Sequence, residues 1–311
     1  MASKGSPAPF DGLVIVDKPT DWTSHDVVGR LRRLVGTRRV GHGGTLDPMA
    51  TGVLVCGVGK ATKLLGLIGA KDKSYNATIR LGIATTTDDA QGEFLAEVGV
   101  EGLGASASSA IEEGVKRLTG DILQRPSSVS AIKVNGERAY KRVRAGEQVE
   151  LAERPVTISQ FDIVSIRESD HRDVGGPLPV IDVDVVVTCS TGTYIRALAR
   201  DLGAGLGVGG HLTALRRTRV GTFDLTTAHT LEPLDQHLAW LPLDQVCGDL
   251  FPSHTLTTDE TQTFRHGGST DWPSAIPGTD TVAVFAPDQS VLGLAHNKNG
   301  RLAPTVVWQP A

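Results

Sequence analysis

The chain has 311 residues, enough for two domains or one large one, and its 40% hydrophobic and 21% charged residues are typical of a globular protein. A formal net charge of -4 gives no overall indication of nucleic-acid binding, although charge can be concentrated locally. The odd number and wide spacing of Cys56, Cys189 and Cys247 exclude a disulfide framework and a cysteine metal site, so we expect reduced thiols in a cytoplasmic protein.

Neither targeting nor membrane segments are predicted. The N-terminus lacks the apolar stretch of a signal peptide, and no run approaches the ~20 apolar residues of a transmembrane helix. We expect residues 1–9 to form a disordered tail.

The first elements are predicted from apolar runs and their boundaries. Residues 13–16 form a short buried strand that Lys18-Pro19 terminates. A helix follows, with Ser24 as its N-cap, Gly36 at its end and one apolar face. That face consists of Val27, Val28, Leu31, Leu34 and Val35. The run "GVLVCGVG" after residue 51 is short enough for a buried strand.

Further along, alternation predicts two strands and periodicity predicts two helices. The strands have apolar faces that contain Tyr75, Ala77, Ile79 and Leu81, and Ile181, Val183, Val185 and Val187. A capping box of Ser109 with Glu112 predicts a helix over 110–118. The segment "TYIRALARDLGAGLG" is a helix or a turn leading into one, with Ile195, Leu198, Ala199 and Leu202 as its core face.

The pattern changes near residue 245. The last 30 residues predict three short strands, with turns at Pro287-Asp288 and Asn299-Gly300, and no helices. We therefore expect a mixed α/β domain over 10–244 and a small all-β domain over 245–311.

The motif "VGHGGTLDPMATG" contains a single acid, Asp47. An Asp before a Pro suits a helix N-cap, but only one turn of helix would fit before a β-branched run, so a structural and a functional role are evenly balanced. A phosphate loop is excluded because the Lys-Ser or Lys-Thr ending is missing. In a functional role Asp47 would be a nucleophile kept ionised by a cation, and the glycines would allow a partner close to the backbone.

Several residues could belong to the same site, and each has a structural alternative. Tyr194 and Arg196 share a face if the segment is extended but lie about 200° apart if it is helical. Arg196 could hold the carboxylate or pair with Asp201 at the surface. Tyr75 by default belongs to the core, and a lone histidine such as His42 is by default structural or solvated.

Basic residues fall in three patches. The first covers Arg30 to Arg39, the second a segment broken by Pro126 and Gly136, and the third "RRTR" at 216–219. The second patch contains Arg125, Lys133, Arg138, Lys141, Arg142 and Arg144. Three such patches in a net-acidic chain favour a nucleic-acid phosphate backbone as partner over solvated faces.

Five segments of the chain form an ordered set of motifs: "GLVIVDKPTDWTSHDVV", "RRVGHGGTLDPMATGVLVCGVGKATKLL", "KSYNATIRLG", "QRPSSVSAIKVNGERAYKRVRAG" and "CSTGTYIRALARDLG...GGHLTALRRTRVG". Together and in this order they resemble the bacterial tRNA pseudouridine-55 synthase family, TruB. The resemblance implies an α/β (α+β) pseudouridine synthase fold: a mixed, mainly antiparallel sheet flanked by helices and loops. It also implies a basic thumb-like insert at about 124–154 and a C-terminal PUA-like RNA-binding domain.

The resemblance also implies roles for individual residues. Asp47 would be the catalytic carboxylate and Arg196 its partner. Tyr75 and Tyr194 would pack around the target base, Leu215 would line its pocket, and His42 would hold the extruded RNA. Lys18 and Pro19 would be a supporting structural element.

The implied reaction isomerises uridine 55 in the T-loop of tRNA and needs no metal and no cofactor. The base must be flipped out and the detached uracil held in a closed apolar pocket. Tyr75 is a candidate base for the proton lost from C5. We expect tRNA as partner, no membrane association and a monomer without an obligate protein partner. The alternatives are an RNA-binding protein with a vestigial catalytic loop and an unrelated carboxylate-nucleophile enzyme such as a phosphotransferase.

Overall fold

A computed structural model describes residues 7–127, 133–134, 137–138, 151–173, 176–276 and 281–311. Most of the expected N-terminal tail therefore lies outside the described residues. The helices are α1 (Ser24–Val35), α2 (Leu65–Gly69), α3 (Ala107–Arg117), α4 (Ile195–Gly205), α5 (Leu231–Gln236), α6 (Leu243–Leu250) and α7 (Thr258–Arg265), with 3₁₀ helices at Gly59–Leu64 and Glu101–Ser106.

The strands are numbered β1 to β19 in chain order. They are β1 (Gly12–Lys18), β2 (Val40–Gly43), β3 (Thr51–Val58), β4 (Lys73–Leu81), β5 (Ile83–Thr85), β6 (Phe94–Glu97), β7 (Gly120–Gln124), β8 (Lys133–Val134), β9 (Glu137–Arg138), β10 (Arg154–Asp173), β11 (Gly176–Cys189), β12 (Gly210–Val220), β13 (Phe223–Asp224), β14 (Leu241–Pro242), β15 (Ser253–Thr255), β16 (Thr270–Asp271), β17 (Val282–Phe285), β18 (Val291–Lys298) and β19 (Arg301–Val307). Among the described residues, no helix has the length and apolar character needed to cross a bilayer.

A large mixed sheet organises the chain. Its strand order is β14-β1-β3-β12-β4-β11-β10-β7, with β2 added beside β3 and β13 beside β12. The β12–β3 pair is parallel, and the other pairs of this sheet are antiparallel. The buried face of β4 and β11 shares one apolar core with α1, α3 and α4. The expected mixed, mainly antiparallel sheet with flanking helices is confirmed.

The start of α1 differs from the prediction. Thr23, not Ser24, is the N-cap, in a reciprocal capping box with Asp26. Gly36 ends the helix in the left-handed conformation as predicted, with φ of 67°. The predicted core residue Leu34 is instead 37% exposed, because the buried stripe follows Val27, Val28 and Leu31.

The start of α3 also differs. The 3₁₀ helix Glu101–Ser106 continues directly into α3, so Ser109 lies inside the helix. Its hydroxyl donates to the Ser106 carbonyl at 3.0 Å and does not form the predicted capping box with Glu112.

The C-terminal region contains the three predicted strands in a five-stranded sheet of order β15-β17-β18-β19-β16. The prediction of an all-β module is wrong, because α6 and α7 belong to this region. Thr257 and Glu260 form a capping box at the start of α7. Near the end of the same helix, Phe264 is completely buried against the sheet. Apolar residues of β17, β18 and α6 also share a core with β1 and β3.

Candidate active site

Asp47 lies in a loop between β2 and β3, and the N-cap interpretation is wrong because no helix follows Pro48. The Ala50 N–H donates to the Asp47 carbonyl at 3.1 Å, which closes a tight turn before β3 begins. The Asp47 side chain remains 35% exposed. This carboxylate is therefore available to a ligand.

The neighbours of Asp47 on both sides are fixed to the segment between β1 and α1. The Ser24 hydroxyl accepts from the Leu46 N–H at 2.9 Å and donates to the Leu46 carbonyl at 3.2 Å. The fully buried Lys18 ammonium donates to the carbonyls of Pro19, Trp22 and Pro48 at 2.8, 2.7 and 3.1 Å. The predicted Lys18-Pro19 element thus holds the backbone on which Asp47 is mounted.

Arg196 pairs with Asp47, and the alternative pairing with Asp201 is wrong. Its Nε donates to Asp47 Oδ2 at 2.9 Å and its Nη2 to Asp47 Oδ1 at 3.2 Å, a two-point contact that fixes the carboxylate plane. Nη1 donates to the Thr87 carbonyl at 2.7 Å, and Asp89 lies 3.6 Å from Nε. The Arg196 side chain is only 5% exposed, so the buried arginine holds the partly exposed Asp47 carboxylate from the protein interior.

A cavity of about 270 Å³ opens beside this pair, with room for roughly nine waters or one pyrimidine ring. Its lining includes Asp47, Tyr75, Tyr194, Arg196 and Leu215. Five of the predicted site residues therefore meet around one cavity. Tyr194 precedes α4 in an extended conformation, and Arg196 lies in the first helical turn. The segment is therefore extended at Tyr194 and helical at Arg196, so each predicted alternative applies to one of the two residues.

A larger open groove of about 560 Å³ is a weaker candidate. It lies along β4, β11 and β12, and its charged groups are already paired. Arg216 binds Asp17 at 2.7 Å, and Asp184 accepts from Thr78 at 2.7 Å and also pairs with Arg167. The smaller cavity, with its partly exposed carboxylate, is therefore the candidate site.

The positions of Tyr75 and Leu215 follow from the sheet register. Both lie on the buried face of the β4–β12 pair, where Leu215 is opposite Ala77 and Tyr75 is opposite Arg217. Burial raises the pKa of the Tyr75 hydroxyl. The cavity therefore has a neutral phenol and a leucine as walls.

His42 lies on β2, outside the lining of this cavity. Its ring makes an edge contact with His25, with centroids 5.4 Å apart. Burial, followed by the charges of His25 and Arg217, lowers the pKa of His42 to about 4. Its imidazole is therefore neutral at physiological pH.

The glycines before Asp47 differ in what they accommodate. A Cβ on Gly41 or Gly43 would point at Leu65 of α2, so the expectation that the glycines allow a partner close to the backbone is wrong at these two positions. Gly44 has a φ of 85°, which favours glycine, and borders the cavity between Lys73 and Arg217. Gly41 and Gly43 are thus required for packing against α2, whereas Gly44 is part of the site.

Three buried charged residues near Asp47, namely Lys73, Asp89 and Arg217, are not among the predicted site residues. Within the expected third basic patch, Arg217 is buried, because it is 1% exposed and donates to the carbonyls of Val53, Gly44 and Thr45. The other two arginines of that patch, Arg216 and Arg219, are partly exposed and pair with Asp17 and Asp72. Lys73 is also buried, and its ammonium donates to the carbonyls of Gly69 and Lys71. The strand alternation that buries Tyr75 also buries Lys73, which is the signal that could have identified it.

Most of the predicted basic insert, about 124–154, lies outside the described residues. At its start, the half-exposed Arg125 faces Glu153 at 3.5 Å. Four arginines of the first patch, Arg32, Arg33, Arg38 and Arg39, are exposed as predicted.

Comparison with known proteins identifies the family. The N-terminal domain model of the TruB family pseudouridylate synthases matches residues 32–195, and the C-terminal domain model of tRNA pseudouridylate synthase B matches residues 196–245. The chain belongs to the TruB family. Two curated proteins named tRNA pseudouridine synthase B are similar over nearly their whole length. The one from Arthrobacter sp. (strain FB24) is 53% identical, covering 97% of this chain and 98% of the relative, and the one from Thermobifida fusca (strain YX) is 54% identical, covering 96% and 98%.

Comparison with solved structures shows that the fold occurs in another protein. The crystal structure of a Cbf5-Nop10-Gar1 complex contains a chain that matches this one with a TM-score of 0.66 and 23% identity, covering 99% of this chain and 92% of that one. This TruB family member is a pseudouridine synthase and therefore an isomerase, as the sequence motifs indicate.

Proposed function

We propose that this TruB family enzyme converts uridine 55 in the T-loop of tRNA to pseudouridine, with Asp47 as the nucleophile. The observation that carries the proposal is the two-point contact of Arg196 with Asp47 at the wall of a cavity of nucleobase size. The names of the similar curated proteins support tRNA as the substrate.

The reaction breaks the bond between N1 and C1′ of the uridine and forms a bond between C5 and C1′. A proton leaves C5, N1 ends protonated, and no electrons are gained or lost. Arg196 orients Asp47 through its two-point contact, while the carboxylate edge remains accessible from the cavity. A nucleophile in this position can attack C6 of the base or C1′ of the ribose, or the reaction can proceed through a glycal.

The cavity walls suit a detached uracil. Tyr75, Tyr194 and Leu215 offer two aromatic faces and one aliphatic side chain. Flipping the base out of the loop costs on the order of a few kcal/mol, and stacking on a tyrosine offsets ~1–3 kcal/mol. Because burial raises the pKa of Tyr75, we assign it this packing role in preference to that of the base that removes the C5 proton.

We infer that groups outside the cavity lining hold the RNA backbone. The exposed arginines at the end of α1 and before β2 supply positive charge for phosphates. The neutral His42 is suited to stacking or hydrogen bonding with an extruded nucleotide rather than to an ion pair. We infer a monomer without an obligate protein partner. We place it in the cytoplasm because Cys56, Cys189 and Cys247 are free and buried.

The test is tritium release from an unmodified tRNA transcript labelled at uridine C5, without added cofactors. Wild-type enzyme should release one tritium per tRNA and a transcript with cytidine at position 55 should release none. Asp47→Asn should reduce the rate by at least about a thousandfold, because an amide cannot form the adduct. Asp182→Asn is the matched control, since Asp182 also accepts two hydrogen bonds from one arginine but lies on β11 away from the cavity. No release by the wild type, or full activity of Asp47→Asn, would refute the proposal.

A further inference from the structure

Helix α4 carries two arginines one turn apart on the same face, Arg196 and Arg200. Arg200 does not touch Asp47. Its Nε donates to Asp201 at 2.9 Å, its Nη1 to Asp88 Oδ2 at 3.3 Å and its Nη2 to the Arg125 carbonyl at 2.7 Å. One guanidinium thus joins the helix to two other segments.

The loop between β5 and β6 lies across both arginines. Thr87 accepts from Arg196 through its carbonyl, Asp88 accepts from Arg200, and Asp89 lies 3.6 Å from Arg196. Asp88 has a φ of 59°, a left-handed conformation that is sparsely populated by residues other than glycine, aspartate and asparagine. Two adjacent carboxylates are therefore held against two arginines in a fixed order.

The segment that leads into the basic insert is fixed to the same helix. The side-chain amide of the fully buried Gln124 donates to the Tyr194 carbonyl at 3.1 Å and accepts from the Tyr194 N–H at 2.8 Å. The next residue, Arg125, is held through its carbonyl by Arg200. Tyr194 is thus bound to Gln124, and Arg196 is bound to the Thr87 carbonyl, and neither Gln124 nor Thr87 lines the cavity.

We propose that Arg200 is a positioning residue for Arg196, acting by neutralising Asp88. The Asp88 side chain is 12% exposed and lies 3.3 Å from Arg200, and burial, opposed in part by the charges of Arg200 and Arg196, raises its pKa. Without Arg200, this carboxylate would compete with Asp47 for the guanidinium of Arg196. Arg200 thereby keeps Arg196 on Asp47, and this inference rests on the proposed roles of these two residues.

The test compares Arg200→Gln, Asp88→Asn and the double variant in single-turnover isomerisation and in RNA binding. Arg200→Gln should slow isomerisation about tenfold or more while the RNA Kd stays within about twofold. Asp88→Asn should be close to wild type, because asparagine tolerates the left-handed conformation and removes the competing charge. The double variant should regain most of the rate that Arg200→Gln loses, which a merely structural role does not predict.

Arg80→Gln is the matched control, because the Arg80–Asp182 pair is buried to a similar extent but lies outside the cavity. Arg200→Lys keeps the charge and should keep the rate within about threefold. The inference is overturned if Arg200→Gln is no slower than Arg80→Gln, if the double variant is slower than Arg200→Gln, or if Arg200→Lys is as slow as Arg200→Gln.

A crystal structure of Arg200→Gln gives a readout that does not depend on activity. Arg196 should leave Asp47 for Asp88, and an unchanged Arg196–Asp47 contact would refute the inference. The proposed function fails separately, if the wild-type enzyme releases no tritium from tRNA.

Discussion

The cavity edge of the large sheet and the C-terminal sheet bury different kinds of side chain. At the cavity edge, Lys18, Asp89, Arg196 and Arg217 are nearly or completely buried. The core cluster within the C-terminal sheet consists of apolar residues such as Phe264, and the buried polar side chains around it are the threonines Thr261 and Thr270.

The two kinds of burial have opposite effects on the free energy of folding. Burying a charge costs free energy unless partners compensate it, so the cavity edge requires dense hydrogen bonding to persist. Burying an apolar side chain contributes to stability directly. We therefore expect changes at the cavity edge to alter the reaction rate more than the stability, and changes in the C-terminal core to do the reverse.

Arg196→Lys should give the largest change among the predictions that test this contrast. Lysine keeps the charge but cannot reproduce the two-point contact with Asp47, so we expect kcat to fall by about a hundredfold. The RNA Kd should change by less than about threefold, and the unfolding midpoint should move little. Arg80→Lys, which alters a two-point pair outside the cavity, is the control. Equal losses in kcat and in RNA affinity would mean that Arg196 is only an RNA contact.

Phe264→Ala should produce the opposite pattern. Its ring, carried by α7, is completely buried against the C-terminal sheet, so its truncation should lower the free energy of unfolding by about 3–5 kcal/mol. Denaturant titration measures the loss, and isomerisation by the folded fraction should stay within about twofold of wild type. A variant that remains folded but loses activity would show that the two regions are coupled.

The pH dependence of the rate tests the backbone support of Asp47. Burial, opposed by the charge of Asp47, lowers the pKa of Lys18 to about 8. Above this pH the amine has two N–H groups for three carbonyls, so the Asp47 loop loosens and the rate should fall. Lys18→Arg should remove this alkaline decline, at a lower overall rate. Burial also lowers the pKa of Lys73 to about 8, so Lys73→Arg, which should retain the decline, is the discriminating control.

Unfolding would not explain that decline. The unfolded chain holds the Lys18 proton up to its ordinary pKa of 10.5, whereas the folded chain loses it near 8. Between these values the unfolded state binds more protons, so the titration of Lys18 makes the free energy of unfolding rise with pH. A rate that falls while stability rises would locate the effect in the site. An alkaline decline that persists in Lys18→Arg would contradict this explanation.

Local patterns predicted the elements well where one rule applied. Alternation identified the buried faces of β4 and β11, and the glycine after α1 identified its end. Competing signals caused the errors. Both Thr23 and Ser24 can cap a helix, and only the geometry selects Thr23, since Ser24 instead bonds the backbone of Leu46. The capping box of Thr257 with Glu260 is present in the sequence, but the all-β prediction extended the strand pattern of the last 30 residues to the whole region and left this helix out.

The candidate site was predictable only in part. Motifs with a family resemblance gave Asp47, Tyr75, Tyr194, Arg196 and Leu215, and the structure brings these five together. The hydrogen bonds that hold these residues in place were not predictable, because each bond joins positions far apart in the chain. Gln124 binds Tyr194 from 70 residues away, and Arg217 binds Gly44 from 173 residues away. Neither pattern nor periodicity encodes such contacts between neighbouring strands and loops.

His42 should give the smallest effect and extends the comparison to stability. Its pKa of about 4 in the folded state lies below its ordinary value of 6.5, mainly because of burial. Between these values the unfolded chain binds more protons, so its titration lowers the free energy of unfolding as the pH falls from 6.5 to 4. One proton limits this slope to about 1.4 kcal/mol per pH unit. His42→Gln should reduce the slope measured by denaturant titration, and His266→Gln, at an exposed histidine directly after α7, is the control variant. If the slope were the same in His42→Gln as in the wild type, protonation of His42 would not destabilise the fold at low pH. The difference between the cavity edge and the C-terminal sheet would then rest on the buried lysines and arginines alone.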